Sequence, residues 1–114
     1  MTLLNSTKNN LISEKLEYAV TFWARLKGLL GRNSLADGEA MLIEDCNGIH
    51  TCFMRFPIDV VFLDAALTVR SIQSGVKPWR FVWGDSLTRK TLELNTGFAE
   101  KCRIDVGDKL NVAN

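Results

Sequence analysis

Histidine is nearly missing from this 114-residue chain: His50 is the only one, so any imidazole chemistry has a single address. No Ser-His-Asp set, phosphate-binding glycine loop or paired-carboxylate pattern accompanies it, which removes the readily legible enzyme classes. Cysteines number three, an odd count that argues against a disulfide framework. Cys46 and Cys52 flank an Asn-Gly turn, but nearness in sequence does not make a bond, and Cys102 reads as a core residue. There are only two prolines and no low-complexity tract, internal repeat or linker that would mark a second domain. No apolar run approaches a membrane span, and the first ten residues lack a basic start, an apolar centre and a small-residue cleavage site. A soluble, cytoplasmic protein is the expectation. Net charge is +1 with an isoelectric point near 7.7. That balance gives no strong nucleic-acid signal and no pull toward a membrane.

What the chain does have is 46% hydrophobic residues, enough for one core. The richest stretch runs from Gly48 to Asp64. Within it Ile58 to Leu63 is short, apolar and β-branched, which predicts a strand buried on both faces. Alternation sends Ile58, Val60 and Phe62 to one side and Asp59, Val61 and Leu63 to the other. Asp59 therefore enters an apolar surface, where a bare carboxylate costs several kcal/mol by rough estimate. Arg25, Arg32 and Arg55 are its candidate partners in a structural ion pair; a cap on a turn and a ligand-facing role are the alternatives. Upstream, His50, Cys52 and Met54 share one face of an extended segment and Thr51, Phe53 and Arg55 the other, with a corner at Arg55 to Pro57. The expectation is a hairpin between this segment and the central strand.

In chain order, residues 1–10 read as a flexible N-terminal tail and residues 11–114 as a single globular β domain. Leu11 to Val20 reads as a half-buried strand. A short N-terminal helix follows, capped at Thr21, with Phe22, Leu26, Leu29 and Leu30 as its apolar stripe and Gly31 as its stop. Ala40 to Ile43, Leu67 to Val76 and Thr91 to Asn95 are further strands, with Leu92 and Leu94 inward and Glu93 outward. Gly97 to Lys101 fits a helical turn. Residues 104–112 close the chain as a strand bent at Gly107-Asp108. The expected fold is mainly β, a compact antiparallel β sandwich or partly closed barrel with one short N-terminal helix.

His50-Thr51-x-x-Met54-Arg55-Phe56-Pro57-Ile58-Asp59 and the apolar run after it resemble the signature of a widespread prokaryotic family, domain of unknown function 192. Other motifs match in order: Arg25-x-x-Gly28-Leu29-Leu30-Gly31-Arg32, Glu39 to Ile43, Leu92-Glu93-Leu94 with Gly97, and Gly107-Asp108. The resemblance covers roughly residues 20–110. It implies a β-dominated single domain in which His50, Thr51, Met54, Pro57, Asp59 and Glu93 are family features, and it implies no activity. Cys52-Phe53 departs from the pattern, where many relatives carry an aromatic followed by a small residue.

Three chemistries compete for the region. His50, Cys52 and Met54 are the ligand types that suit copper and form a weak metal candidate, against the plain alternative of core packing. A cysteine nucleophile is hampered because His50 and Cys52 lie about 6.7 Å apart along a strand. The favoured reading is a small binding module without a cofactor, holding a small polar molecule or sugar. Its pocket would use Thr51, Arg55, Asp59 and Glu93, with His50 at the rim and the Trp79 to Trp83 loop as a wall. A structural or protein-interaction domain is the runner-up. The aromatics of Lys77-Pro78-Trp79-Arg80-Phe81-Val82-Trp83 either pack over a sheet edge or stay exposed to stack rings.

Overall fold

The computed structural model describes residues 1–19, 35, 38–52 and 54–113. Among them are ten strands and one short helix: β1 (Thr2–Asn5), β2 (Asn10–Ser13), β3 (Lys15–Ala19), β4 (Glu39–Ile43), β5 (Gly48–His50), β6 (Ile58–Leu63), β7 (Val69–Val76), β8 (Phe81–Trp83), β9 (Lys90–Asn95), α1 (Phe98–Lys101) and β10 (Leu110–Ala113). The chain is mainly β, in several sheets that stack as a sandwich rather than close into a barrel.

The five-stranded sheet, in order β3-β4-β9-β6-β7, is the middle layer. Strand β6, flanked by β9 and β7, is buried along its whole length, as its nearly uninterrupted apolar run requires. Val61 and Leu63 join Leu42, Leu92 and Leu94 in one core, which the three-stranded sheet β10-β1-β2 and α1 cover through Leu3, Leu110 and Ala99. Ile58, Val60 and Phe62 join Met41, Ile43, Met54 and Phe56 in a second core, against which the two-stranded ribbon β5-β8 places Ile49 and Val82. Two cores on opposite faces of one sheet explain why β6 needs apolar side chains at nearly every position.

A turn held by its own side chain follows β6. Asp64 Oδ1 accepts from the N–H groups of Ala66 and Thr68, both at 2.9 Å, and β7 returns antiparallel to β6. Gly97, at φ +82°, leads into α1 at the expected helical turn.

Several expectations give way. Residues 2–5, placed in a flexible tail, pair with both β10 and β2, and Leu3 and Asn5 are fully buried. The half-buried strand at 11–20 is split at Glu14 into β2 and β3. Not every pairing is antiparallel: β3 and β4 run parallel, from Lys15 opposite Glu39 to Ala19 opposite Ile43. Parallel neighbours cannot be joined by a tight turn, and β3 and β4 are well separated in sequence. The expected hairpin between the His50 segment and β6 does not form, because β5 pairs with β8 and the flanks of β6 are taken by β7 and β9. The short N-terminal helix and the arginines Arg25 and Arg32 lie outside the described residues. No described helix is long and apolar enough to cross a membrane.

Candidate functional site

The β5-β8 ribbon is the smallest sheet, and side-chain alternation divides it into an inner and an outer set. Ile49 opposes Val82 and both face the second core. The flanking pairs, Gly48 with Trp83 and His50 with Phe81, then fall on the outer side. Phe81 and Trp83 are 61% and 67% exposed, and Trp79 just before the strand is 57% exposed. The Phe81 and Trp83 rings lie 6.0 Å apart at an interplanar angle of 12°, and the His50 ring lies 6.1 Å from Phe81 at 52°. The loop that the sequence left between packing and exposure is thus an open aromatic surface with an imidazole at its margin.

Trp83 is fixed by a residue that has no side chain. A Cβ on Gly48 would fall 2.4 Å from Trp83 Cδ1, so the indole occupies the space that any other residue would fill. Beyond Trp83 the chain turns through Asp85, whose Oδ1 accepts from Leu87 N–H and from the Thr88 hydroxyl, both at 3.1 Å. Asp85 Oδ2 takes Arg70 of β7 at 2.6 Å and 3.1 Å. The Arg70 hydrogen bond holds the Asp85 carboxyl below the usual carboxylate range. Thr88 is fully buried and packs where a Cβ on Gly84 would sit, 2.3 Å from its Oγ1.

The other expected site residues do not join this surface. Thr51 is fully buried and its hydroxyl is spent on the 77–80 loop, donating to the Lys77 carbonyl at 2.6 Å and accepting from Arg80 N–H at 2.9 Å. Asp59 is fully buried on the opposite face of the sheet. Its Oδ1 accepts from Gly75 N–H at 2.8 Å and its Oδ2 from Ala99 N–H at 3.0 Å. The carboxylate bolts β6 to β7 and to the start of α1 through these two backbone N–H groups. Arg55 is exposed and, among the described residues, forms no ion pair.

Glu93 alternates away from Leu92 and Leu94 as expected, but that direction is not solvent. It is fully buried on the face of the second core, opposite Met41 and Val60. The metal candidates separate too: β5 ends at His50, a turn closes with Met54 N–H donating to the Thr51 carbonyl at 3.1 Å, and Met54 enters the second core at 4% exposure. The three cysteines are free, and the Cys46 thiol donates to the Gly48 carbonyl at 3.1 Å.

Two grooves, of about 800 Å³ beside Leu11, Lys15 and Phe98 and about 580 Å³ beside Lys8, Ile72 and Arg103, contain none of the residues expected to form the pocket. Sequence reasoning named the aromatics of the 77–83 segment, Phe81 among them, but not Gly48 as the seat of Trp83. The signal for Phe81 was the two-residue spacing with Trp83 around an aliphatic Val82. Gly48 carried no signal beyond its turn propensity, since its partner lies 35 residues away in sequence.

The fold and sequence have known counterparts. A UPF0127 protein of Pyrococcus furiosus is 31% identical over 111 residues, covering 95% of each chain. Another UPF0127 protein, from Thermococcus sibiricus, is 26% identical over 113 residues, 96% of this chain and 73% of that one. A solved structure of a protein of unknown function from Novosphingobium aromaticivorans superposes with a TM-score of 0.80 at 25% identity, covering 97% of this chain and 82% of that chain. A Sinorhizobium meliloti structure gives 0.79 at 24% identity over 96% of this chain and 89% of that one, a likeness of fold alone. The family model described as "Uncharacterized ACR" matches residues 3–112, and the chain therefore belongs to the domain of unknown function 192 family.

Proposed function

We propose that this protein is a small binding module whose ligand stacks on the outer face of the β5-β8 ribbon, and that the ligand is a sugar. The observation that carries the reading is the exposure of Trp79, Phe81 and Trp83 by more than half each, on a ribbon whose inner side chains are anchored in the core. Indole and phenyl faces are apolar and electron-rich, and the C–H face of a pyranose meets both needs while its hydroxyls stay hydrated. The His50 ring beside Phe81 bounds the surface at its margin. The buried, internally committed positions of Thr51, Asp59 and Glu93 move the site from a pocket between strands to an open surface. The module acts as a single domain, and its three free cysteines suit a reducing cytoplasm.

The test is a titration of tryptophan fluorescence with glucose, galactose, N-acetylglucosamine and cellobiose at millimolar concentrations, on wild type and on Trp83→Ala. Saturable binding by wild type, weakened at least tenfold by the substitution, supports the reading. No saturable change with any of the four removes it. The same exposed aromatics, with Leu87 at 54% exposure close by in sequence, favour a second reading, a protein-interaction surface. A co-purifying protein that Trp83→Ala releases, with no sugar response, would select that reading.

A further inference from the structure

We infer that Thr51 is a positioning residue that sets the aromatic surface in shape before a ligand arrives, by holding Trp79 in a backbone conformation that tryptophan rarely adopts. The inference rests on the ring-stacking reading of that surface and deepens it. Trp79 has φ +65°, in the left-handed region where a bulky side chain crowds its own carbonyl. Such a conformation persists only where its surroundings over-determine it.

Thr51 brackets Trp79 with hydrogen bonds on both sides. Trp79 N–H donates to the Thr51 carbonyl at 3.0 Å, and Thr51 N–H donates to the Arg80 carbonyl at 2.9 Å. Arg80 N–H donates to Thr51 Oγ1 at 2.9 Å, while the same hydroxyl donates to the Lys77 carbonyl at 2.6 Å. The hydroxyl thus acts as donor and acceptor at once, on the residues two before and one after Trp79. Serine reproduces both roles and valine, of nearly the same shape, reproduces neither. Thr51 is itself fully buried, and its carbonyl also accepts from Met54 N–H, so the clamp is anchored to the second core through Met54. Trp79 is held at one end of the surface by Thr51, as Trp83 is held at the other by the absent side chain of Gly48. A surface fixed in this way has little ordering left to do on binding.

The experiment compares wild type, Thr51→Val and Thr51→Ser by amide hydrogen exchange and by titration with the same four sugars. Expected for Thr51→Val is at least a tenfold loss of protection at Arg80, with the amides of β6 and β9 unchanged, and a sugar affinity at least fivefold weaker. Thr51→Ser is expected to restore both. Unchanged protection at Arg80 in Thr51→Val overturns the clamp, even where wild type binds sugar. Lost protection at Arg80 in a protein that binds no sugar supports the clamp and removes the ligand reading instead. A second comparison holds if Thr51→Val fails to fold: Trp79→Gly is expected to unfold at higher denaturant than Trp79→Ala, because glycine alone tolerates φ +65°. Equal midpoints would show that no strain is held at this position.

Discussion

Replacing Asp59 with asparagine keeps the side chain's shape while removing its charge and turning one acceptor oxygen into a donor. In the native fold the two carboxylate oxygens each take one backbone N–H, from Gly75 at 2.8 Å and Ala99 at 3.0 Å, and the residue has no exposure to water. An asparagine serves one of those donors through its carbonyl and turns its amide N–H toward the other. The lost bond to a charged acceptor is worth about 1.5–3 kcal/mol, and the stranded N–H adds about 1–3 kcal/mol where water cannot reach it. Because these two figures overlap in what they count, a total of about 2–4 kcal/mol is expected. A small domain has roughly 5–15 kcal/mol in all, so Asp59→Asn should fold but unfold much earlier. With a urea slope of about 1–3 kcal/mol per molar, the midpoint should fall by about 1–3 M. Equilibrium urea unfolding followed by tryptophan fluorescence measures it. A loss below about 1 kcal/mol would refute the assignment of Asp59 as a structural bolt, and would return it to the ligand-facing role if sugar binding fell at the same time.

Phe62→Ala empties a fully buried position in the second core and is expected to cost about 3–5 kcal/mol in the same assay. Gly48→Ala puts a methyl where the Trp83 indole lies, so the exposed ring should be displaced from its seat; loss of the mutual ring-current shifts of Phe81 and Trp83 would report it, with stability changed by less than about 1 kcal/mol because the displaced ring is already two-thirds exposed. Burial pushes the Asp108 carboxyl up, but the Lys8 ammonium, the Asn5 amide and the Asp105 N–H outweigh burial and leave it below its ordinary value. A carboxyl depressed on folding stabilises above its unfolded value, near pH 4, and loses that contribution as pH falls through its folded value. Asp108→Ala should therefore cost about 1–3 kcal/mol at pH 7, since Asn5 is left unpaired inside, and the gap from wild type should narrow on acid titration below pH 4 as the Lys8 pair is lost; a gap unchanged down to pH 2 would contradict the ion-pair account.

The parts of the fold legible in the sequence are those whose cause is local. β6 announces itself by an apolar run, the turn at Asp64 by its own side chain, and α1 by Gly97. What escaped notice depends on partners far away along the chain. Leu3 looks like part of a polar tail until Val112 lies opposite it. His50 and Ile58 look like two arms of a hairpin because eight residues separate them, yet β5 finds its partner in β8, some thirty residues on. Asp59 is buried and takes two backbone N–H groups, partners that leave no mark in sequence. Glu93 was placed on the correct side of its strand, and only the second core shows that this side is dry. For the site, the aromatic spacing was visible, whereas its exposure depended on which side of the ribbon meets the core.

The pairing of β1 with β10 also has a consequence for synthesis. Thr2 lies opposite Ala113 and Asn5 opposite Leu110, so β1 cannot complete its sheet until residues about a hundred positions further along the chain have left the ribosome. Until then the slot that Leu3 fills in the first core stays open to water or to other chains. Contacts this distant in sequence slow folding, and the incomplete chain carries its apolar surface for the whole interval. A ribosome stalled just before Leu110 would therefore hold a polypeptide with its middle sheet encoded and its three-stranded sheet lacking β10, a natural substrate for a holding chaperone.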